Sequence, residues 1–321
     1  MREFVGMARD LPPQGGPEES GEPVDRPEGG HGAPDDVRGS GEADPLVADG
    51  VRWSDVELPA SYGVGRVLPD GATPREAASD FRPDRAGLPE VSREQATRYV
   101  EEHRSDRPWL GPAADRSPEA QRAVAALDRG EGHALERHEG WITASVARER
   151  LEYLRDPAQL DADKRERAED AYKERMHSCG EYVTWIWDAD AFVTAFVRGI
   201  ERPEVRDALD AGYVPGRFVP GASVPIKELL GPDGHRFCAG FRLLEVGGSM
   251  EAARDCRDAW AEAHAKGREP DVLKPRIEPI DSFEGGTIEF FFRPNRDRTG
   301  YEVNTTYPEP PDRPRSQCAS S

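Results

Sequence analysis

Apolar side chains are nearly absent from the first fifty residues and fall into regular patterns only further along the chain. Residues 11–45, "LPPQGGPEESGEPVDRPEGGHGAPDDVRGSGEADP", are dominated by Pro, Gly, Glu and Asp. Such a segment buries too little surface to offset its ordering entropy. Beyond residue 50, "VRWSDVELPASYGVGRVLP" adds scattered apolar residues without a sustained period, so residues 1 to about 90 read as a flexible leader. A short polar helix, "SREQATRYVEEHR", and a Pro-containing joint, "DRPWLGP", lead into "SPEAQRAVAALDRG". The pattern therefore predicts a disordered acidic leader and linker over 1–115 and a folded domain over 116–321, beginning within 116–130.

In the folded part, "HALERHEGWITASVARERLEYLRD" has helical spacing, broken at Gly140. "DPAQLDADKRERAEDAYKERMHS" is charged enough to be an exposed helix or an insertion. "EYVTWIWDADAFVTAFVRGIE" begins with β-type residues and continues as an apolar helix. "RFVPGASVPI", "CAGFRLLEV", "TIEFFFRPN" and "YEVNTTYP" are short β-like runs, the last two joined by "RPNRDRTG" as a hairpin loop. Helices first and strands later predict an α+β domain with an antiparallel sheet.

Charge changes the picture in one respect. The formal net charge is -19, but residues 1–50 hold 4 basic and 12 acidic side chains, against 29 and 37 in residues 121–321. The folded part is only mildly acidic, which argues against long nucleic acid held on a basic stripe and leaves room for a local grip on one or two phosphates. No stretch approaches the roughly 20 apolar residues of a membrane span, and "MREFVGMARDLPPQ" lacks the apolar run of a signal peptide. Cys179, Cys238, Cys256 and Cys318 form no CxxC pair and read as free thiols, with a Cys238–Cys256 bridge left open.

Candidate chemistry begins with His133 and His138, which stand five positions apart, about 140° around a helix, and so do not converge on one ligand from an unbroken helix. The HExxH metal spacing is absent. At the far end of the chain, period-two alternation puts Thr305 and Tyr307 on one strand face, just before Pro308 stops the strand. Weaker candidates have plainer readings. Asp188 and Asp190 suit capping of the apolar helix, His177 and Cys179 suit an exposed turn, and "GGS" suits a cap of the helix after it. The arginines of "RPNRDRTG" suit a solvated loop, with RNA phosphate binding as the other reading.

The series Gly132, His133, His138, Gly140, Arg150 and Leu151, followed by Tyr301, Val303, Thr305, Tyr307 and Pro308, resembles the toxin domain at the C-termini of some CdiA-type contact-dependent inhibition proteins and other bacterial polymorphic toxins. The resemblance spans about residues 128–310. It implies a ribonuclease A-like fold and a metal-independent endoribonuclease without a cofactor. Carried over, the family's histidine falls on His138, its arginine on Arg150, and its threonine and tyrosine on Thr305 and Tyr307, with His133 as a supporting residue. Two departures stand out: the His-to-Arg spacing is one residue longer, which leaves Arg148 as an alternative, and Glu139 replaces a small apolar residue and is placed to raise or misplace the histidine.

The implied chemistry is coherent. Histidine takes the 2′-hydroxyl proton near neutral pH, an arginine forks onto phosphate oxygens, and hydroxyls fix the nucleotide. The resemblance further implies an RNA substrate, a cognate immunity protein, and export by a specialised machine to act in a target cell. The alternative is an inactive ribonuclease-like fold used as a binding module, motivated by the acidic domain, Glu139 and the shifted arginine.

Overall fold

A computed structural model describes residues 81–311 apart from 82, 114, 115, 217 and 218. The expected leader over residues 1–80 lies outside the described residues, as does Cys318.

The first helices start where the sequence offers caps. Ser92 accepts from Gln95 N while the Gln95 side chain accepts from Ser92 N, opening α1 (Arg93–His103) with a capping box. Ser117 and Pro118 open α2 (Pro118–Arg129). Two short helices follow, α3 (Ala134–His138) and α4 (Ala144–Tyr153), separated at Gly140. The charged stretch is mostly an excursion that holds only α5 (Ala162–Glu166).

After β1 (Tyr182–Ile186), Asp188 caps α6 (Ala189–Gly199) by accepting from Ala191 N, as the capping reading expects. Then come α7 (Pro203–Leu209), β2 (Ala222–Pro225), α8 (Ile226–Leu230) and β3 (Cys238–Leu243). The helix α9 (Met250–Ala265) is capped by Ser249 of the "GGS", and β4 (Ile277–Pro279), β5 (Thr287–Pro294) and β6 (Tyr301–Glu309) complete the order.

The class is α+β, but the strands form two antiparallel sheets rather than one, in the orders β1-β3-β4 and β2-β5-β6. The division has a local cause. On the side of β1 not occupied by β3, the Thr184 carbonyl is met by the His138 ring, and β6 lies beside β1 without joining its ladder. The β5–β6 hairpin carries a bulge: Phe291 pairs with Thr305 and Phe292 with Val303, leaving Asn304 as the extra residue.

One core joins α2, α6, α8 and both sheets, with Phe192, Phe196, Phe237 and Phe290 fully buried. Gly199 is required there, because a Cβ would fall 2.1 Å from the Phe290 ring. A second cluster, Ile142, Ala147, Leu151, Val183, Trp185 and Phe241, packs α4 onto β1 and β3. Cys179, Cys238 and Cys256 are free thiols.

The expected domain start at 116 is corrected. Phe81, Leu88, Val91, Val100, Trp109 and Leu110 are buried in the same core as α2. Asp128 of α2, buried, accepts from Tyr99 Oη, Trp109 Nε1 and the Arg107 guanidinium, binding residues 99–109 to the domain. Proline spacing disguised this packing, since the buried residues of 81–113 are shared among irregular chain (Phe81, Leu88, Val91), 3-10 turns and one short helix with no long period. Trp109→Ala is expected to lower the unfolding free energy by about 3–5 kcal/mol in a urea titration, the range for a buried large aromatic; a domain that began at 116 would be indifferent to it.

Candidate functional site

The bulge at Asn304 sets the site. Its carbonyl accepts from His133 N at 2.7 Å, and the chain at Gly132 lies so close that a Cβ would fall 2.6 Å from the Val303 and Asn304 oxygens. The Gly-His pair is thereby pinned to β6, and α3 starts at once. Across its single turn and a half the two histidines diverge, as their spacing predicts. The His133 ring lies 5.9 Å from Tyr172, and the His138 ring stacks on Tyr307 at 5.0 Å with the planes 29° apart. The expected meeting of His138 and Tyr307, 169 positions apart, is present. Tyr307 in turn stacks on the exposed Phe291 at 5.7 Å, so three rings run inward from the surface.

His138 is 6% exposed. A carbonyl only accepts, so the 2.7 Å contact between Nδ1 and Thr184 O fixes the proton on Nδ1 and leaves Nε2 as a lone pair. Burial, followed by the nearby Arg150 charge, pushes the imidazole well below its ordinary range and keeps it neutral. Burial and Arg137 push His133 down to about 3. The expected influence of Glu139 does not act: its carboxyl turns to Arg116 at 3.6 Å and to Trp141 N at 3.3 Å, and the shift of His138 is downward.

Arg150 projects from α4 into the same cluster and is buried. Its Nη1 donates to Arg137 O at 3.1 Å and its Nε to His177 Nε2 at 3.4 Å. Among the described residues it forms no ion pair with a carboxylate. Burial and Arg137 lower it to about 10, which still leaves it charged. Arg148, two positions earlier on the helix, points elsewhere and pairs with Glu152 at 3.7 Å. The longer spacing is therefore absorbed with Arg150 inside. Tyr307 is pushed up to about 12, chiefly by burial, so its phenol keeps its proton. Thr305 shares that strand face and is buried, and its hydroxyl has no hydrogen-bond partner among the described residues.

A set of residues behind Arg150 escaped the sequence reading. Arg137 forks onto Asp156, with Nε to Oδ1 at 2.9 Å, and reaches Asp170 at 3.2 Å. His177, expected in an exposed turn, is buried and holds Asp170 through Nδ1 at 2.9 Å. The correction has a physical reason: the charged excursion 156–177 turns Asp156, Asp170 and His177 inward, while Tyr172, half exposed, lays its ring beside His133 and its hydroxyl on Glu136. Asp156, Asp170 and His177 have ligand atoms within 4.8 Å of one another, yet the Arg137 guanidinium already supplies the cation between the carboxylates. The loop arginines Arg293 and Arg296 pair with Glu131.

Comparison with known proteins gives no match: no family model, no curated protein and no solved structure matches the chain. No helix among the described residues is long and apolar enough to cross a membrane.

Beside the cluster, Glu136 is buried, accepts from Tyr172 Oη at 3.0 Å, and is pushed by burial from 4.5 to about 8. A carboxyl raised on folding weakens the fold as pH climbs from 4.5 through 8, because the unfolded chain ionises first. Glu136→Gln keeps the acceptor without the charge. It is expected to match the parent in thermal midpoint near pH 4 and to exceed it by a few degrees near pH 8.5; a constant offset at both values would refute the buried neutral carboxyl.

Proposed function

We propose that the domain is a metal-independent endoribonuclease of the ribonuclease A type that acts as a bacterial toxin effector. The single observation that carries this reading is the buried Arg150 guanidinium, which has no carboxylate partner and lies in one cluster with a neutral imidazole and a strand face bearing Tyr307 and Thr305. A phosphodiester supplies the missing anion, and its planar-fork recognition by arginine is specific.

In this reading His138 Nε2 accepts the proton of the 2′-hydroxyl. The 2′-oxygen attacks phosphorus, the bond from phosphorus to the 5′-oxygen breaks, and a 2′,3′-cyclic phosphate forms. Arg150 balances the charge growing on the phosphoryl oxygens. Thr305 and Tyr307 donate to the phosphate, and Tyr307 or a water returns a proton to the leaving 5′-oxygen. A phenol held near 12 is a slow acid, which favours water. A cognate immunity protein would then be the partner, and delivery into a target cell the context.

A second reading, an inactive fold used as a binding module, is favoured by one feature: His138 is 6% exposed and covered by Tyr307. RNA cleavage in excess EDTA separates the two. Turnover supports the enzyme, whereas RNA binding without turnover supports the module.

His138→Asn is the cleaner test than alanine, which would leave a hole beneath Tyr307. Asparagine keeps a donor for the Thr184 carbonyl and removes the Nε2 base. It is expected to lower cleavage by about two to four orders of magnitude. Tyr307→Phe should cost less, Arg150→Lys should lose the fork and much of the activity, and Arg148→Lys should be nearly silent. Normal cleavage by His138→Asn would refute the assignment.

A further inference from the structure

We propose that His177 is the positioning residue of Arg150, holding the guanidinium plane through a hydrogen bond whose direction is fixed by Asp170. The inference rests on the ribonuclease reading only for its consequence in turnover; its geometry stands apart from it.

Arginine carries donors and no acceptor, so the 3.4 Å contact from Arg150 Nε makes His177 Nε2 the acceptor. The ring proton must then lie on Nδ1, where it points at Asp170 Oδ2 at 2.9 Å. Asp170 is itself fixed, its Oδ1 accepting from Tyr172 N at 2.9 Å and its Oδ2 from Arg137 at 3.2 Å. The charged groups facing His177 are Asp170, Asp156 at 3.6 Å, Arg137 at 3.5 Å and Arg150.

The consequence for Arg150 is geometric. A guanidinium is planar, and two anchored donors, Nε on His177 and Nη1 on Arg137 O, fix that plane. Nη2 has no protein partner among the described residues. It is therefore the edge of the fork left for an anion. Two backing contacts leave the cation oriented without neutralising it, since neither an imidazole nor a carbonyl carries negative charge. A carboxylate in place of His177 would orient Arg150 as well but would compete with a phosphate for its charge. Protonation of His177 would turn Nε2 from acceptor to donor and break the contact.

Two substitutions separate positioning from filling. In His177→Gln the amide oxygen reaches the place of Nε2 and can accept from Arg150. In His177→Asn the amide reaches the place of Nδ1 and serves Asp170 alone. With RNA as substrate, the glutamine variant is expected to stay within a few-fold of the parent, and the asparagine variant to lose about tenfold or more in kcat with little change in KM, as for a misoriented group.

A second readout needs no activity. In 15N NMR of the full chain, His177 should show an unprotonated Nε2. The Arg150 Nε–H signal, identified by its loss in Arg150→Lys, should exchange slowly in the parent and in His177→Gln and rapidly in His177→Asn. A protonated Nε2 at neutral pH, or equal behaviour of the two variants, overturns the proposal. If the NMR pattern holds and the parent does not cleave RNA, the positioning role stands and the ribonuclease reading falls.

Discussion

Arg137 and Arg150 lie buried side by side, joined by the bond from Arg150 Nη1 to the Arg137 carbonyl, and their charges are treated unequally. Arg137 has two carboxylates, Asp156 and Asp170, whereas Arg150 has an imidazole and a carbonyl. The second cation thus remains uncompensated within the fold. His133, His138 and His177 are each held neutral by burial, with positive charge from these arginines adding to it. Burial acts on each ring in its own place, and the charge of the two arginines is the lesser influence that all three share.

The fold builds this arrangement from short, irregular pieces. A bulge in β6 frees the Asn304 carbonyl for His133, and this starts α3 at a fixed point on the strand. Five residues later His138 meets the open side of β1, so the ring that stacks on Tyr307 also stands between the two sheets. The next helix delivers Arg150, and the excursion 156–177 closes the back. A long regular helix over residues 133–153 would have carried His138 and Arg150 around its axis to other directions. The break at Gly140, where a Cβ would fall 2.8 Å from the Trp187 carbonyl, keeps them together.

Much of the fold and the front of the site were legible because they depend on local signals. Capping serines and Asp188 mark helix starts, alternation marks β5 and β6, and the same alternation puts Thr305 and Tyr307 on one face. The back of the site was not legible. Asp156, Asp170 and His177 stand in a stretch whose composition is that of a solvated loop, and their burial depends on Arg137, a residue with no motif of its own. Residues 81–113 were missed for a related reason. Their anchor is the buried carboxylate of Asp128, and a side chain that accepts from three distant donors leaves no period in the sequence. The split into two sheets was equally hidden, since it depends on one imidazole occupying a strand edge.

The energetic cost of Arg150 bears on what the cluster is for. A charge removed from water costs several kcal/mol after relaxation, and a pair of carboxylate bonds would offset much of it. Arg150 lacks them, although Asp156 and Asp170 lie close behind His177. Where packing alone is required, an apolar side chain of similar volume is usually as stabilising as a paired charge, and more so than an unpaired one. Thr305 presents a parallel case: a buried hydroxyl with no protein partner is costlier than the valine that would fill the same space. Both groups belong to the Tyr307 side of the cluster, whereas Asp156, Asp170 and His177 behind it each have hydrogen-bond partners. Under the ribonuclease proposal a phosphate brought in from outside the chain would offset both costs at once, since a guanidinium and a hydroxyl each donate and neither is opposed by a carboxylate.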